Sequence, residues 1–241
     1  MASTAAIDDP GETQSMSTAK QVAGAHAAGL VRTGMQLGLG TGSTVRYFLE
    51  TLAERVEAER LEVCGVPTSE QTAALAEELR IPLVGLDQVR SLDLTVDGAD
   101  EIDGEFRMIK GGGGALLREK VVASITTRQV IIVDAAKAVE RLGRGFDLPV
   151  EVVPFALPVV ARVIEGLGGR PSQRGAPDYL TDNGNAILDV DFPDGIEDPE
   201  TLEQTLCATP GVVECGLFIG LADVCIVGHD DGTVEERLRD A

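Results

Sequence analysis

The chain has 241 residues, 44% of them hydrophobic, which is enough for one sizeable core or for one domain carrying a smaller second one. Its 40 acidic and 20 basic residues give a formal net charge of -20, and such a charge repels phosphate backbones and anionic lipid headgroups. With aromatic residues at only 3%, few side chains are available to stack on bases, so nucleic acid and membrane surfaces are excluded as expected partners.

The first half of the chain alternates predicted helices and strands. The first helix has Ser17 as its N-cap, and Thr68-x-x-Gln71 fits a capping box that opens a later helix. In chain order, the predicted elements begin with a helix (17–30), a strand (35–39), a glycine turn and a helix carrying the apolar residues of 45–52. A strand (61–66), a helix to residue 79, two strands (81–84 and 92–96), a helix (115–125) and a strand (129–133) follow. Strands alternating with helices predict an α/β fold whose parallel sheet is covered on both faces.

The second half changes order near Pro149 and predicts a separate unit close to a split β-α-β-β-α-β motif. Its predicted elements are a strand (150–153), a helix (157–167), strands near 170 and around 179–180, a strand (186–190), a helix (199–207) and a strand (212–218). Residues 182–185, Asp-Asn-Gly-Asn, supply a hairpin turn between its middle strands. The buried-strand pattern at 221–228 is expected to return to the first sheet, which makes the second unit an insertion.

Three strand ends carry candidate chemistry, because open α/β sheets bind ligands at the carboxyl ends of their strands. The first is the segment 38–44, GLGTGST. Its glycines let the backbone approach a ligand, while Ser43, Thr44 and a helix N-terminus offer hydrogen-bond donors to an anion. We predict a phosphate cradle here, with a purely structural glycine turn as the alternative. The segment lacks the lysine of a Walker A loop and the third glycine of a dinucleotide fingerprint.

The second strand end is acidic and carries Asp97, Asp100 and Glu101. Three carboxylates within five residues repel one another, which raises at least one pKa unless cations or hydrogen bonds compensate. Such crowding suits acid/base chemistry, and a solvated acidic turn is the alternative. A divalent-metal site is a lesser possibility, because no histidine lies nearby and the spacing of a calcium loop is missing.

The third strand end is Lys110 followed by four glycines, 111–114, with Glu119 on the next helix. Four consecutive glycines cost backbone entropy, so the run indicates a turn that presents bare N–H groups to a developing oxyanion. Lys110 can supply a positive charge, and Glu119 can point back toward the site as a general base. The alternative for Glu119 is an exposed glutamate that pairs with a neighbouring cation.

The basic residues are unevenly chosen, since only four of the 20 are lysines: Lys20, Lys110, Lys120 and Lys137. Because the protein as a whole repels anions, an anionic substrate needs a local group of cations, and Lys20, Lys110 and Lys137 are the candidates. A large acidic excess with few lysines is also typical of a salt-rich cytoplasm, where charges are screened over roughly 3 Å at about 1 M. We therefore predict halophilic adaptation, with an ordinary acidic protein as the alternative.

The cysteines and histidines lack the spacing of a zinc site or a disulfide framework. Four cysteines form no CxxC pair and only two histidines are present, so we predict no metal and buried free thiols in a reducing cytoplasm. The residues 1–15 lack a basic start and an apolar stretch, so we expect a flexible tail and no signal peptide. No run approaches the roughly 20 apolar residues of a membrane span.

Taken together, these motifs closely resemble the ribose-5-phosphate isomerase family of the A type. Seven matching segments occur in family order: GLGTGST (38–44), VDGADEID (96–103), MIKGGGGALLREK (108–120), VDAAK (133–137), LPVEVVP (148–154), GGRPSQR (168–174) and TDNGNAILDV (181–190). The departures are small, such as Gly114 where the family often has alanine, and none replaces a proposed catalytic side chain.

The resemblance implies interconversion of ribose 5-phosphate and ribulose 5-phosphate through a cis-enediolate, with no metal or organic cofactor. It implies that Glu119 moves the proton between C2 and C1, that Asp97 assists ring opening, and that Asp100 and Lys110 hold the hydroxyls and the enediolate oxyanion. The substrate-binding residues that it implies are Thr41, Gly42, Ser43, Thr44, Gly98, Ala99, Gly111, Gly112, Gly113, Lys137 and Lys20, of which Ser43, Thr44, Lys137 and Lys20 hold the phosphate.

The resemblance also implies a Rossmann-like three-layer domain (16–145 and 220–241) with an inserted ferredoxin-like α+β domain (146–219). It implies a cytoplasmic enzyme that binds a sugar phosphate and assembles as a homodimer or homotetramer. Two alternatives remain. One is a related enzyme class that releases ammonia from amino-sugar phosphates. The other is the sugar-phosphate sensing domain of some transcription regulators, which would need a DNA-binding helix-turn-helix ahead of it, where we expect only the short tail.

Overall fold

The computed structural model describes residues 17–175 and 178–239, so the predicted tail, 1–15, lies outside the described residues. The described elements are α1 (Thr18–Ala28), β1 (Gln36–Leu39), α2 (Ser43–Glu59), β2 (Cys64–Pro67), α3 (Glu70–Glu78), β3 (Leu94–Asp97), β4 (Glu101–Ile102), β5 (Met108–Ile109), α4 (Leu116–Ser124), β6 (Gln129–Asp134), β7 (Leu148–Val152), α5 (Leu157–Gly166), β8 (Arg170–Gln173), β9 (Ala186–Asp191), α6 (Pro199–Cys207), β10 (Val212–Cys215), β11 (Leu217–Phe218), β12 (Val224–Gly228) and β13 (Val234–Leu238). None of these helices is both long and apolar enough to cross a membrane.

The central sheet has six strands in the order β13-β12-β6-β3-β1-β2, all parallel except β13 at the edge. Its middle strands are mostly apolar between their ends, because helices cover both faces. On β6, Val130 and Ile132 pack into the core that α1 and α2 share, while Ile131 and Val133 face the opposite core with Leu116 of α4. The expected three-layer α/β arrangement is therefore confirmed, including the return of β12 to this sheet.

The inserted unit has an antiparallel sheet in the order β10-β7-β9-β8, with α5 and α6 as its helices. The chain order is β-α-β-β-α-β, and the sheet order places the fourth strand first, then the first, third and second, which is the ferredoxin-like arrangement. Its core is formed by aliphatic side chains, including Val150, Val160, Ile164 and Val190.

A third, small sheet was not predicted and joins the two units. It has the order β11-β5-β4, with Leu217 and Glu101 both paired to Ile109. Each strand has only two residues, which is too short for an apolar periodicity to be visible in the sequence. The sheet holds the acidic segment after β3 beside the segment that leads into the glycine run.

Two predicted strands are wrong, and a third is divided. The segment 81–84 forms only one bridge, from Gly65 to Leu83, because the ring nitrogen of Pro82 has no hydrogen to donate. Residues 179–180 form no strand and precede a turn that is closed by the N–H of Thr181 and the carbonyl of Asn185. The Asp-Asn-Gly-Asn segment therefore leads from a longer loop into β9 and does not join two strands directly. The predicted strand 212–218 is divided at Gly216 between two sheets.

Ser17 caps α1 as predicted, because its hydroxyl accepts a hydrogen bond from the N–H of Lys20. Two other local predictions need correction. Ser69, and not Thr68, caps α3, since the Thr68 hydroxyl is buried and donates to the Leu39 carbonyl at 3.1 Å. The cysteines of the described residues are free, but only Cys215 and Cys225 are buried as expected. Cys64 is half-buried, and Cys207 is exposed because it is the last residue of α6. The edge strand β13 was not predicted, because its residues are mostly charged and exposed.

Candidate active site

A cavity opens at the carboxyl ends of β1, β3 and β6, which are neighbours in the central sheet. It is lined by Lys20, Thr41, Gly42, Ser43, Thr44, Gly98, Ala99, Asp100, Lys110, Gly111, Gly112, Gly113, Glu119, Val133, Asp134 and Lys137. The cavity thus brings together every predicted site residue except Asp97, which lies beneath it with no exposed surface. Val133 and Asp134 were not predicted, although they belong to the VDAAK segment.

Three buried charged side chains form the floor of the cavity. The ammonium of Lys110 lies 3.0 Å from Oδ2 of Asp97 and 3.3 Å from Oε1 of Glu119. The same ammonium donates to the carbonyl of Gly98 at 2.6 Å. Glu119 sits in the first turn of α4 and is only 4% exposed, so the alternative of an exposed helix glutamate is wrong.

Asp97 is held in place by the backbone around it. It is the last residue of β3, and its Oδ1 accepts hydrogen bonds from the N–H of Thr41 at 3.1 Å and of Gly98 at 2.8 Å. A Cβ at Gly40 would lie 2.3 Å from that same oxygen. The glycine at position 40 is therefore required for the loop after β1 to approach the Asp97 carboxylate.

Burial and neighbouring charge shift the pKa of Glu119 to about 8. Loss of water raises it most and the negative charge of Asp97 adds to that, while the ammonium of Lys110 acts in the opposite direction. Burial by itself would lower the pKa of Lys110, but Asp97 and Glu119 raise it above its ordinary value, so the ammonium stays charged. Oε2 of Glu119 is buried with no hydrogen-bond partner among the described residues, which leaves it available to a bound molecule.

The glycine run forms a tight turn beside this floor. Gly111 and Gly114 have φ values of +105° and +81°, a region that side chains disfavour, and the N–H of Gly114 donates to the carbonyl of Gly111 at 2.9 Å. The N–H of Gly112 donates to Oδ2 of Asp100 at 2.8 Å, so this donor of the run is already occupied. The turn is thereby tied to the acidic segment after β3.

Arg174, which follows β8 in the inserted unit, also holds the glycine run. Its Nη1 donates to the carbonyls of Gly111 and Gly112 at 3.0 and 2.9 Å, and its Nε donates to Asp189 at 2.9 Å. Sequence reasoning did not assign Arg174 to the site, because the residue is about 60 positions away in the chain. The only available signal was its place in the GGRPSQR segment.

The opposite end of the cavity has the features of an anion site. Gly42, with φ +125°, is the N-cap of α2, and no side chain caps that helix end. Lys20 of α1 donates to the hydroxyl of Ser43 at 3.0 Å, and Lys137 follows β6. Backbone N–H groups at a helix N-terminus, with two lysines nearby, attract a phosphate group.

Thr41 contributes to the cavity through its backbone. Its hydroxyl is engaged with the hydroxyls of Thr68, Ser69 and Thr72 at 2.8, 2.8 and 3.1 Å. Thr72 in turn donates to the carbonyl of Gly40 at 2.8 Å. This hydroxyl cluster fixes the loop between β1 and α2 against the start of α3, which keeps the α2 N-terminus aimed at the cavity.

Comparisons with known proteins agree with one another. A family model described as ribose 5-phosphate isomerase A (phosphoriboisomerase A) matches residues 64–232. The chain is 53% identical over 221 residues to the ribose-5-phosphate isomerase A of Roseiflexus sp. (strain RS-1), covering 90% of this chain and 94% of that protein. It is 50% identical over 237 residues to the ribose-5-phosphate isomerase A of Cereibacter sphaeroides (strain ATCC 17025 / ATH 2.4.3), covering 95% of this chain and 94% of that protein.

Solved structures give the same result. The ribose 5-phosphate isomerase of Plasmodium falciparum has a TM-score of 0.89 at 34% identity, covering 94% of this chain and all of that one. A D-ribose-5-phosphate isomerase in complex with phospho-erythronic acid has a TM-score of 0.88 at 38% identity, covering 91% of this chain and 97% of that one.

Proposed function

The chain belongs to the ribose 5-phosphate isomerase A family, and from that premise we propose how its cavity interconverts ribose 5-phosphate and ribulose 5-phosphate. The observation that carries the proposal is the buried contact of Glu119 and Asp97 with the ammonium of Lys110 at the floor of the cavity. An aldose–ketose interconversion moves one proton between two neighbouring carbons and shifts another between two oxygens. It therefore needs a base, a charge to stabilise an oxyanion and a fixed substrate.

We assign the carbon-bound proton to Glu119. Its free Oε2 is the acceptor, and a pKa near 8 makes it basic enough to remove a proton next to a carbonyl group while it is still partly ionised at neutral pH. The proton taken from C2 of the aldose is returned to C1, which yields the ketose. Because the carboxylate is shielded from water, the proton is not lost between the two steps.

We assign the oxygens of the enediolate to Lys110, Asp100 and the glycine run. The permanent charge of Lys110 stabilises the negative charge that develops on the substrate oxygens. Asp100, anchored by the N–H of Gly112, faces the cavity and accepts hydrogen bonds from substrate hydroxyls. We assign the assistance of ring opening to Asp97, which lies beneath the cavity and forms an ion pair with Lys110.

We assign the phosphate to the α2 N-terminus with Ser43, Thr44, Lys20 and Lys137. Thr41, Gly98 and Ala99 also line the cavity. Binding energy from the phosphate fixes the far end of the sugar, so it contributes to turnover as well as to affinity. The small-molecule partner is accordingly a sugar phosphate.

The test is ketose formation from ribose 5-phosphate by the purified chain in molar salt with a chelator, compared with Glu119→Gln. We expect turnover in the wild type and a loss of roughly 10²- to 10⁴-fold in the variant, because the base is removed and the shape kept. Glu165→Gln, an exposed glutamate of α5, is the control and should be unchanged. Substantial activity in Glu119→Gln would overturn the assignment of the base, and binding without conversion by the wild type would favour the sensor.

We also propose that the enzyme works in the cytoplasm without a metal and as a homodimer or homotetramer. Lys110 occupies the space between Asp97 and Glu119 that a cation would otherwise take. The free thiols suit a reducing compartment, and an apolar patch at Val153, Phe155 and Val159, with Phe155 96% exposed, suits a subunit contact. Light scattering of the purified chain checks the assembly, and a monomer would contradict it. Activity that sediments with membranes would contradict the location.

A further inference from the structure

Two cysteines that do not line the cavity lie in contact with each other. Cys207 ends α6 and is exposed, and Cys215 ends β10 and is buried. Their sulfurs are 3.9 Å apart. Since a disulfide has an S–S distance of about 2.05 Å, side-chain rotation and a shift of about 2 Å would join them.

Charged groups surround this pair. Oε1 of Glu214 lies 3.2 Å from the Cys207 sulfur and 2.8 Å from the ammonium of Lys120. Lys120 also donates to the carbonyl of Leu217 at 2.6 Å and lies over the ring of Phe218 at 4.9 Å from its centre. Among the described residues, Lys120 is the one lysine that does not line the cavity, and neither Lys120 nor Glu214 is assigned a role in the isomerisation.

We propose that Cys207 and Cys215 are a redox-active dithiol, which a hydroperoxide oxidises to a disulfide that slows isomerase turnover. The thiolate of Cys207 attacks the peroxide, so that an S–O bond forms, the O–O bond breaks and an alkoxide or hydroxide leaves. Sulfur is oxidised and the peroxide reduced by two electrons. The sulfur of Cys215 then attacks that of Cys207, forming the S–S bond, and the departing hydroxide takes the thiol proton and becomes water.

The order of the two steps follows from exposure and from hydrogen bonding. Cys207 is the accessible sulfur, so it meets the oxidant first. The pKa of Cys207 lies below its ordinary value mainly because the Cys215 thiol donates a hydrogen bond to its sulfur. The charge of Lys120 also lowers this pKa, whereas burial and Glu214 raise it. The same hydrogen bond, together with burial, raises the pKa of Cys215, so this thiol stays protonated and does not react first. Its contact with the Cys207 sulfur at 3.9 Å is what makes it the resolving thiol.

The backbone connects the pair to the active site. Gly216 follows Cys215, and its carbonyl accepts from the N–H of Lys110 at 2.9 Å while its own N–H donates to the carbonyl of Pro149 at 2.7 Å. A Cβ at Gly216 would lie 2.4 Å from the Lys110 carbonyl, so the packing there is close. Drawing Cys215 toward α6 therefore displaces Lys110 from Asp97 and Glu119.

A metal ion is the competing occupant of this cluster. Ligand atoms of Cys207, Glu214 and Cys215 all lie within 4.8 Å of one another. However, the ammonium of Lys120 already neutralises the Glu214 carboxylate and repels a second cation. Two thiols in contact favour the disulfide.

The experiment treats reduced enzyme with hydrogen peroxide in the presence of a chelator. Free thiols are then alkylated and peptides are mapped by mass, and kcat is measured before oxidation, after it and after dithiothreitol. We expect a Cys207–Cys215 bridge and a several-fold fall in kcat that dithiothreitol reverses. Cys64→Ser should behave as the wild type, whereas Cys207→Ser and Cys215→Ala should form no bridge and resist reversible inactivation.

The proposal is overturned if no bridge forms, if the bridged enzyme keeps its kcat, or if Cys207→Ser is inactivated like the wild type. Reversible inactivation by Zn²⁺ alone, with no bridge under peroxide, would assign the cluster to a metal. Only the kinetic consequence rests on the proposed function. The mass map reports the bridge whether or not the chain is an isomerase, and the turnover of untreated enzyme tests that activity separately.

Discussion

At the scale of single residues, the carboxyl of Glu119 acts as a base only when it is ionised. Because the pKa of Glu119 is about 8, we predict that kcat/KM for ribose 5-phosphate rises about tenfold per pH unit below pH 8 and levels off above it. A pH series of initial rates checks this. Glu165→Gln should follow the same curve, and a profile that is flat from pH 6 to 8 would contradict the assignment.

The same pKa predicts how stability depends on pH. A carboxyl whose pKa is raised on folding binds its proton more tightly in the native state, so its contribution to stability falls as pH rises from about 4.5 to about 8. Glu119→Gln removes this dependence. We therefore expect the variant to gain stability relative to the wild type across that window, by at most about 1.4 kcal/mol per pH unit. Urea unfolding at several pH values measures the difference, and parallel curves would contradict it.

At the scale of elements, the N-terminus of α2 is shaped by Gly42. We predict that Gly42→Ala costs about 1–3 kcal/mol of strain and raises the KM for ribose 5-phosphate about tenfold, because the helix N–H groups move. Gly34→Ala is the matched control. Gly34 also has a positive φ, +86°, and open space around its Cβ position, but it lies outside the cavity. Equal KM values for the two variants would contradict a phosphate site at this helix end.

The inserted unit acts on the site through Arg174. We predict that Arg174→Met lowers kcat about 10- to 100-fold with a much smaller change in KM, because the glycine run loses its fixed position while the phosphate end is untouched. Arg170→Met is the control, since Arg170 begins β8, the strand that Arg174 follows, and it pairs with Asp191 and is exposed. A loss shared equally between kcat and KM would indicate a general structural role.

At the scale of the whole molecule, a formal charge of -20 makes self-repulsion a large term. We predict that the unfolding temperature rises as NaCl increases from about 0.1 M to about 1 M, because the screening length falls from about 10 Å to about 3 Å. Each kcal/mol of relieved repulsion corresponds to about 2–4 °C for a chain of this size. Sucrose, which stabilises without screening, is the control, and an equal effect of both would contradict charge repulsion.

Most elements of the central sheet were predictable, because a buried parallel strand is a short apolar run and a helix has its own period. The predictions failed where partners decide the structure. The strands β4, β5 and β11 exist only because they pair with one another. Likewise, 81–84 and 179–180 have apolar residues but do not form strands, since a neighbouring ladder is what makes such a run a strand.

The sequence by itself determined the α/β class, the family and most of the residues that line the cavity, because most of their motifs follow strands whose carboxyl ends meet at one edge of a sheet. Only the tertiary structure decided which side chains touch and which charges are buried. Glu119 could have been a solvated helix residue; its burial against Lys110 depends on packing between distant segments. The contacts of Arg174 with the glycine run and of Cys207 with Cys215 arise in the same way. Charge, burial and distance are properties of the packed chain, whereas periodicity and motif spacing are properties of its order.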